Sequence, residues 1–139
     1  MSSAKVRNVK EDVRWYTHKM KLGHIGIPVK DLVKSKTFYD AVAPHLGLKL
    51  IDAHDDFVGY GEGDSYDVYV HTMRAPISGV HLCFSVNTKE QVRSFYESAL
   101  AAGGKDNGAP GIRKDYSPTY YAAFVFDPDG NNIEALCRN

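Results

Sequence analysis

The sequence predicts an α+β fold in which two tandem βαβββ modules form curved mixed sheets around a cavity. The first observation behind this prediction is an apolar run with an early histidine that occurs twice, as GHIGIPV at residues 23–29 and VHLCFSV at residues 80–86. The second is that a shift of 57 positions lays His24 on His81, and that a Phe-Tyr pair follows each histidine at the same spacing. A repeat of this length indicates a duplicated structural unit.

The first module is predicted from alternation and a helix-start signal. Ile25, Ile27 and Val29 alternate along the first run, which predicts a strand that leaves His24 on its other face. Asp31 then predicts the N-cap of a helix. Three further strands are predicted at residues 48–51, 57–60 and 66–70.

The second module repeats the pattern with a longer insertion. Thr88 and Gln91 form a T-x-x-Q capping box at the start of the second helix, and Val92, Phe95 and Ala99 share one face of it. The segment GGKDNGAPGIRKDYSPTYY is predicted to be a long loop, either a lid over a cavity or an elaborate turn. Strands are predicted at residues 120–126 and 132–137, joined by the turn Asp127-Pro128-Asp129-Gly130.

The domain organisation follows from the limits of this repeat. Residues 1–21 are polar and lack sustained periodicity, which predicts an N-terminal arm. Residues 22–137 are predicted to form a single domain, with module one at 22–75 and module two at 79–137.

Composition excludes several classes of partner. The chain has 17 Lys and Arg against 17 Asp and Glu and shows no basic stripe, so neither nucleic acid nor an anionic membrane is expected to bind. No apolar run approaches the roughly 20 residues of a membrane span, and the start of the chain lacks a signal-peptide core. A cytoplasmic protein is expected, in which both cysteines are reduced.

Two histidines and one glutamate are the candidate metal ligands. If the modules pack about a pseudo-twofold axis, His24 and His81 occupy equivalent places. Glu134 lies on the last strand, where its side chain points either to solvent or to the concave side of the sheet. If it points inward, two imidazoles and one carboxylate converge. This set suits Fe(II), Mn(II), Zn(II) or Ni(II) and leaves open positions on the metal.

The runs GHIGIPV and VHLCFSV, the segment DLVKSKTFYD and the ending DPDGNNIEA together resemble the vicinal oxygen chelate superfamily. This superfamily includes glyoxalase I, extradiol dioxygenases, fosfomycin-resistance proteins and bleomycin-binding proteins. The resemblance covers residues 22–137 and implies the fold and a metal role for His24, His81 and Glu134. It also implies a homodimer that builds each cavity from modules of two chains, and a substrate chelated through two neighbouring oxygens.

One position departs from glyoxalase I, which has a glutamate as fourth ligand near the end of the first module's last strand. A shift of 65 positions puts Tyr69 there, which argues against true glyoxalase I activity and makes Tyr69 a residue of the cavity wall. Arg113, Tyr116 and Tyr120 lie on or beside the predicted loop. Together with Tyr69 they are the candidate substrate-binding residues, and the loop residues suit an anionic or aromatic oxygenated ligand.

Three functions stay open at this point. The leading hypothesis is a metal-dependent enzyme that acts on a small oxygenated molecule as a lyase, isomerase or oxygenase. The alternative is a metal-free protein that sequesters a small molecule, as bleomycin-binding relatives do. The third is a fold retained for partner binding through the N-terminal arm. The sequence assigns no catalytic residue for any of them.

Overall fold

The computed structural model describes residues 22–139, so the predicted arm at residues 1–21 lies outside the described part of the chain. Module one contains β1 (Ile25–Pro28), α1 (Leu32–Val42), a 3-10 turn (Ala43–Leu46), β2 (Lys49–Ala53), β3 (Phe57–Gly61) and β4 (Val68–His71). Module two contains β5 (His81–Ser85), α2 (Lys89–Ala101), β6 (Lys105–Ile112), β7 (Tyr121–Phe126) and β8 (Asn132–Cys137).

Each module forms its own four-stranded mixed sheet. The strand orders are β1-β4-β3-β2 and β5-β8-β7-β6, with β1 parallel to β4, β5 parallel to β8 and the other pairs antiparallel. The predicted α+β fold of two βαβββ modules is therefore confirmed, and the two sheets do not close into one barrel. β1 and β5 are edge strands in these sheets.

The strand register reproduces the repeat seen in the sequence. In sheet one Gly26 lies opposite Tyr69, and in sheet two Cys83 lies opposite Glu134. These pairs are related by the shifts of 57 and 65 positions. Tyr69 thus occupies the position in module one that Glu134 occupies in module two.

The two helices pack against each other and cover one face of each sheet. Both predicted caps are present: Asp31 accepts from the backbone N–H of Lys34, and Thr88 and Gln91 form the reciprocal capping box. Phe95 of α2 is fully buried, and burial of a phenylalanine side chain contributes about 1.5–3 kcal/mol. No helix within residues 22–139 is both long enough and apolar enough to cross a membrane.

Part of the predicted long loop is a strand, and the loop prediction was wrong there. β6 occupies residues 105–112 and pairs with β7, with register shifts near Gly108 and Gly111. Glycine and proline indicate loops in a sequence, but β6 is the outer strand of its sheet, where bulges and Pro110 are tolerated. Gly108 has φ +149°, a conformation that other residues rarely adopt.

The turn between β7 and β8 joins the two modules. Asp127 is buried, and its Oδ2 accepts a 2.7 Å hydrogen bond from the hydroxyl of Tyr39 in α1. Its Oδ1 accepts the backbone N–H groups of Asp129 and Asn131. Lys30, at the start of module one, donates its backbone N–H to Asp129. The turn therefore binds module one through both a buried and an exposed contact.

Replacement of Tyr39 by phenylalanine is expected to destabilise the protein by about 1–3 kcal/mol, because it removes a hydrogen bond from a buried carboxylate. Urea unfolding of the wild type and variant measures the difference. The repeat supplies a matched control, Tyr96→Phe, since Tyr96 bonds the exposed carboxylate of Asp106. That control is expected to lose less than about 0.5 kcal/mol. Equal losses in both variants would contradict a special role for the buried contact.

Candidate metal and ligand site

The face of sheet two that lies away from the helices carries the polar candidate residues. Strand register aligns Cys83, Glu134, Phe124 and Gly108 in one row across β5, β8, β7 and β6. Side chains in such a row project from the same face of the sheet. We call this surface the open face of sheet two.

Glu134 is at the centre of a hydrogen-bonded group on this face. Its Oε2 lies 2.9 Å from Nε2 of His81, and its Oε1 accepts a 2.5 Å hydrogen bond from the hydroxyl of Tyr120. Only 1% of Glu134 is exposed, whereas half of the His81 side chain is. Of the two orientations that the sequence left open, the structure has the inward one.

The buried carboxylate perturbs its neighbours. Burial, followed by the hydrogen bond and charge of Glu134, raises the pKa of Tyr120 well above its usual value. Burial and the charge of Glu134 also raise the pKa of Cys83 to about 12. Near neutral pH both groups are therefore protonated. Tyr120 acts as a hydrogen-bond donor, and Cys83 lacks the thiolate that nucleophilic chemistry requires.

His24 lies at the start of the other module, apart from this pair. It directly precedes β1, is exposed, and its ring contacts that of Tyr69 with a centroid distance of 5.6 Å. Across residues 22–139 of one chain, no three His, Cys, Asp or Glu side chains are arranged to hold a metal ion. A single chain therefore brings His81 and Glu134 together but not His24, and the metal role of all three stays a prediction.

The open face of sheet one is aromatic. Phe57 contacts both Tyr66 and Tyr69, with ring-centroid distances of 5.0 and 5.1 Å. Two glycines make room for the tyrosine rings: a Cβ at Gly26 would lie 2.3 Å from Cζ of Tyr69, and a Cβ at Gly59 would lie 2.4 Å from Cδ1 of Tyr66. Sequence reasoning placed Tyr69 on the cavity wall but missed Phe57 and Tyr66. Gly26 and Gly59, the strand glycines beside these rings, were the signal in the sequence that large side chains lie there.

The remaining predicted ligand-binding residues lie at the hairpin between β6 and β7. The backbone N–H of Arg113 donates to the carbonyl of Tyr120, which closes this hairpin. Tyr116 packs edge-on against Tyr120 and is exposed, while the guanidinium of Arg113 lies 5.3 Å from the ring centroid of Phe124. Tyr120 and Arg113 therefore flank the open face of sheet two, and Tyr116 lies farther out.

Comparison with known proteins agrees with this fold. The family model of the Glyoxalase/Bleomycin resistance protein/Dioxygenase superfamily matches residues 21–135. The chain belongs to this superfamily. It is 31% identical to a glyoxalase/bleomycin resistance protein from Albidiferax ferrireducens T118, with a TM-score of 0.74, over 84% of this chain and 98% of that one.

More distant superfamily members share the fold. A family enzyme from Burkholderia phytofirmans PsJN is 21% identical, with a TM-score of 0.64, over 86% of this chain and 100% of that one. No curated protein matches the chain significantly. Membership therefore rests on the family model and on solved structures, and it extends to the fold rather than to a particular reaction.

The donor set on sheet two fits the divalent metal that the superfamily resemblance implies. Two ligands that each lie about 2.0–2.2 Å from one metal ion are roughly 3 Å apart. The 2.9 Å separation between His81 Nε2 and Glu134 Oε2 is of that size. The hydrogen bond from Tyr120 to the other carboxylate oxygen is the kind of outer contact that orients a metal ligand. One chain supplies two of the three predicted ligands.

His71 is a buried histidine beside the aromatic face. It is 5% exposed, and its Nδ1 has no hydrogen-bond partner within residues 22–139. The centroid of its ring lies 5.4 Å from the ring centroid of Tyr69. Burial, followed by the positive charge of Arg74, lowers its pKa. The folded state therefore favours the neutral imidazole. Its contribution to stability is present above the unfolded pKa of about 6.5 and is lost as pH falls below it.

We expect the stability of the wild type to fall between about pH 7.5 and 5.5 by more than that of a His71→Gln variant, because the variant cannot take up the proton that unfolding favours. Urea unfolding of both proteins at the two pH values measures the difference. A second comparison, between about pH 8.5 and 7.5, serves as the control, since the histidine is then neutral in both states. Parallel curves over the acidic range would show that His71 does not have this effect.

Proposed function

We propose that this superfamily member is a divalent-metal-dependent enzyme that acts on a small oxygenated substrate as a lyase, isomerase or oxygenase. The observation that carries the proposal is the His81–Glu134 pair, whose carboxylate is buried and held from its other side by Tyr120. A buried carboxylate of this kind needs compensating partners, and it is typical of a functional site more than of a solvated surface.

In this proposal the metal is held by His81 and Glu134 of one subunit and by the partner subunit's His24, so the enzyme is a homodimer. Two features of the topology support this. β1 and β5 are both edge strands. His24 directly precedes β1, and His81 is the first residue of β5. A second copy whose β1 edge lies beside β5 would bring the third imidazole to the pair without any change within either module.

The chain's own residues have separate roles in this proposal. Glu134 is oriented by Tyr120, whose hydroxyl stays protonated at neutral pH and can donate. His81 is half exposed, which leaves access for a substrate. A bound metal would polarise two neighbouring substrate oxygens and stabilise the negative charge that develops on them. Tyr69 adds no carboxylate to this set, so the proton transfer of glyoxalase I is not part of the proposal.

A metal-free small-molecule binding protein is the second candidate. The aromatic face of sheet one supports it, because the rings of Phe57, Tyr66 and Tyr69 offer a flat apolar surface for a ligand. In this alternative the His81–Glu134 pair is a polar contact of the pocket. Metal content separates the two candidates.

Wild-type protein purified without an affinity tag or chelator is expected to carry about one Fe, Mn, Zn or Ni ion per chain by elemental mass spectrometry. His81→Ala is expected to lose at least about nine-tenths of it. His45→Ala is the matched control, since His45 bonds Ser98 where the 3-10 turn packs against α2, and the variant should leave metal content unchanged. A wild type that contains no metal and takes none up from added salts would sink the metalloenzyme proposal in favour of the binding protein.

Co-expression of His24→Ala and His81→Ala chains tests whether two subunits share a site. Each variant alone is expected to bind little metal. In a random mixture about half of the dimers are mixed and each has one intact site of two, so about a quarter of the wild-type metal should return. No recovery in mixed dimers, isolated with two different tags that bind no metal, would argue that the ligands come from one chain.

A further inference from the structure

The half-buried guanidinium of Arg113 lies over the outer strand of sheet two, close to two glycines. Its Nη2 donates a 2.7 Å hydrogen bond to the carbonyl of Ala109, and its Cζ lies 5.3 Å from the ring centroid of Phe124. Two glycines of β6 leave the space: a Cβ would lie 3.1 Å from Nη2 at Gly108 and 3.2 Å from Nη1 at Gly111. Side chains at these two positions would crowd the guanidinium, so the glycines at the register shifts of β6 leave room for Arg113.

This cation has no acidic partner in the described part of the chain. No carboxylate of residues 22–139 forms an ion pair with Arg113, whereas Lys36 and Arg93 each pair with a carboxylate on their own helix. Within residues 22–139 the Arg113 side chain forms one hydrogen bond, to the backbone carbonyl of Ala109. An arginine carries five N–H donors in a planar fork that matches an oxyanion, and most of these donors remain available.

The position of Arg113 relates it to the candidate metal site. Gly108, beside the guanidinium, lies opposite Phe124, which in turn lies opposite Glu134. Adjacent strands are about 4.8 Å apart, so two strand spacings put the guanidinium roughly 10 Å from the carboxylate. At that distance Glu134 forms no ion pair with Arg113, and its two carboxylate oxygens bond His81 and Tyr120 instead.

We propose that Arg113 is an oxyanion-binding residue and that the ligand of this protein is a small acid, bearing a carboxylate or phosphoryl group that Arg113 holds. The inference rests on the proposed function for the other end of the ligand, whose neighbouring oxygens face the metal. The body of the ligand then spans the ring of Phe124. Its length is set by the roughly 10 Å between the two ends.

The test uses probes without neighbouring oxygens, so that it does not depend on metal chelation. Dissociation constants of benzoate, phenyl phosphate and benzamide for the wild-type protein are measured by NMR titration of the ¹⁵N-labelled chain, with the Nε–Hε signal of Arg113 as the local reporter. We expect at least one anion to bind about tenfold or more tightly than the neutral amide. The stronger anion distinguishes a carboxylate ligand from a phosphoryl one.

Three variants show whether Arg113 causes the preference. Arg113→Gln is expected to remove the difference between anion and amide while it retains weak binding of the amide. Arg113→Lys should keep part of the preference, because it preserves the charge but not the planar fork. Lys114→Gln is the matched control: it removes the same charge from the exposed neighbour and should keep the full preference.

Two results would overturn the inference. One is equal affinity for benzoate, phenyl phosphate and benzamide in the wild type. The other is an anion preference that survives in Arg113→Gln or disappears equally in Lys114→Gln. Both are independent of the metal measurement: anion binding without metal would retain Arg113 as the oxyanion site of a binding protein. Metal without anion preference would leave the proposed enzyme with a neutral substrate.

Discussion

The buried carboxylate of Asp127 is the interaction on which the rest of the structure depends. It accepts the hydroxyl of Tyr39 from the other module, and it holds its own turn closed through backbone N–H groups and the side chain of Asn131. The amide oxygen of Asn131 accepts from the backbone N–H of Val80, one residue before His81. A single turn therefore docks the modules and also fixes the parallel strands that set His81 beside the carboxylate of β8. Loss of the turn would disturb the candidate site through its support.

The two modules share a fold but have diverged in chemistry. Tyr69 stands where its repeat has Glu134, and Gly59 stands where its repeat has Phe124. The open face of sheet one is consequently aromatic, while that of sheet two carries a buried carboxylate and a half-buried arginine. A cavity between two such faces would present apolar contact from one side and polar contact from the other. The internal repeat provides the symmetry, and these differences between the modules would give a bound ligand a defined orientation.

Features set by local chemistry were predictable from the sequence, and those set by cross-strand neighbours were not. The caps at Asp31 and Thr88 depend on the next three residues and were predicted correctly. β6 was missed because Gly108 has the local signal of a turn, and pairing with β7 overrides that signal. The bond from Tyr120 to Glu134 depends on how a hairpin folds back over β8. No spacing in the sequence specifies that contact.

The separation of His24 from the other two predicted ligands has a thermodynamic consequence for the proposed metal site. Within one chain Glu134 is already satisfied by His81 and Tyr120, so its burial requires no metal. A metal ion must displace the His81–Glu134 hydrogen bond, and two ligands alone compensate poorly for that loss. In the proposed assembly the third ligand would come from a second subunit, so metal affinity and dimer affinity would be linked and each would raise the other. Under this proposal the chain would fold without metal, and the assembly of two chains would decide whether the ion is held.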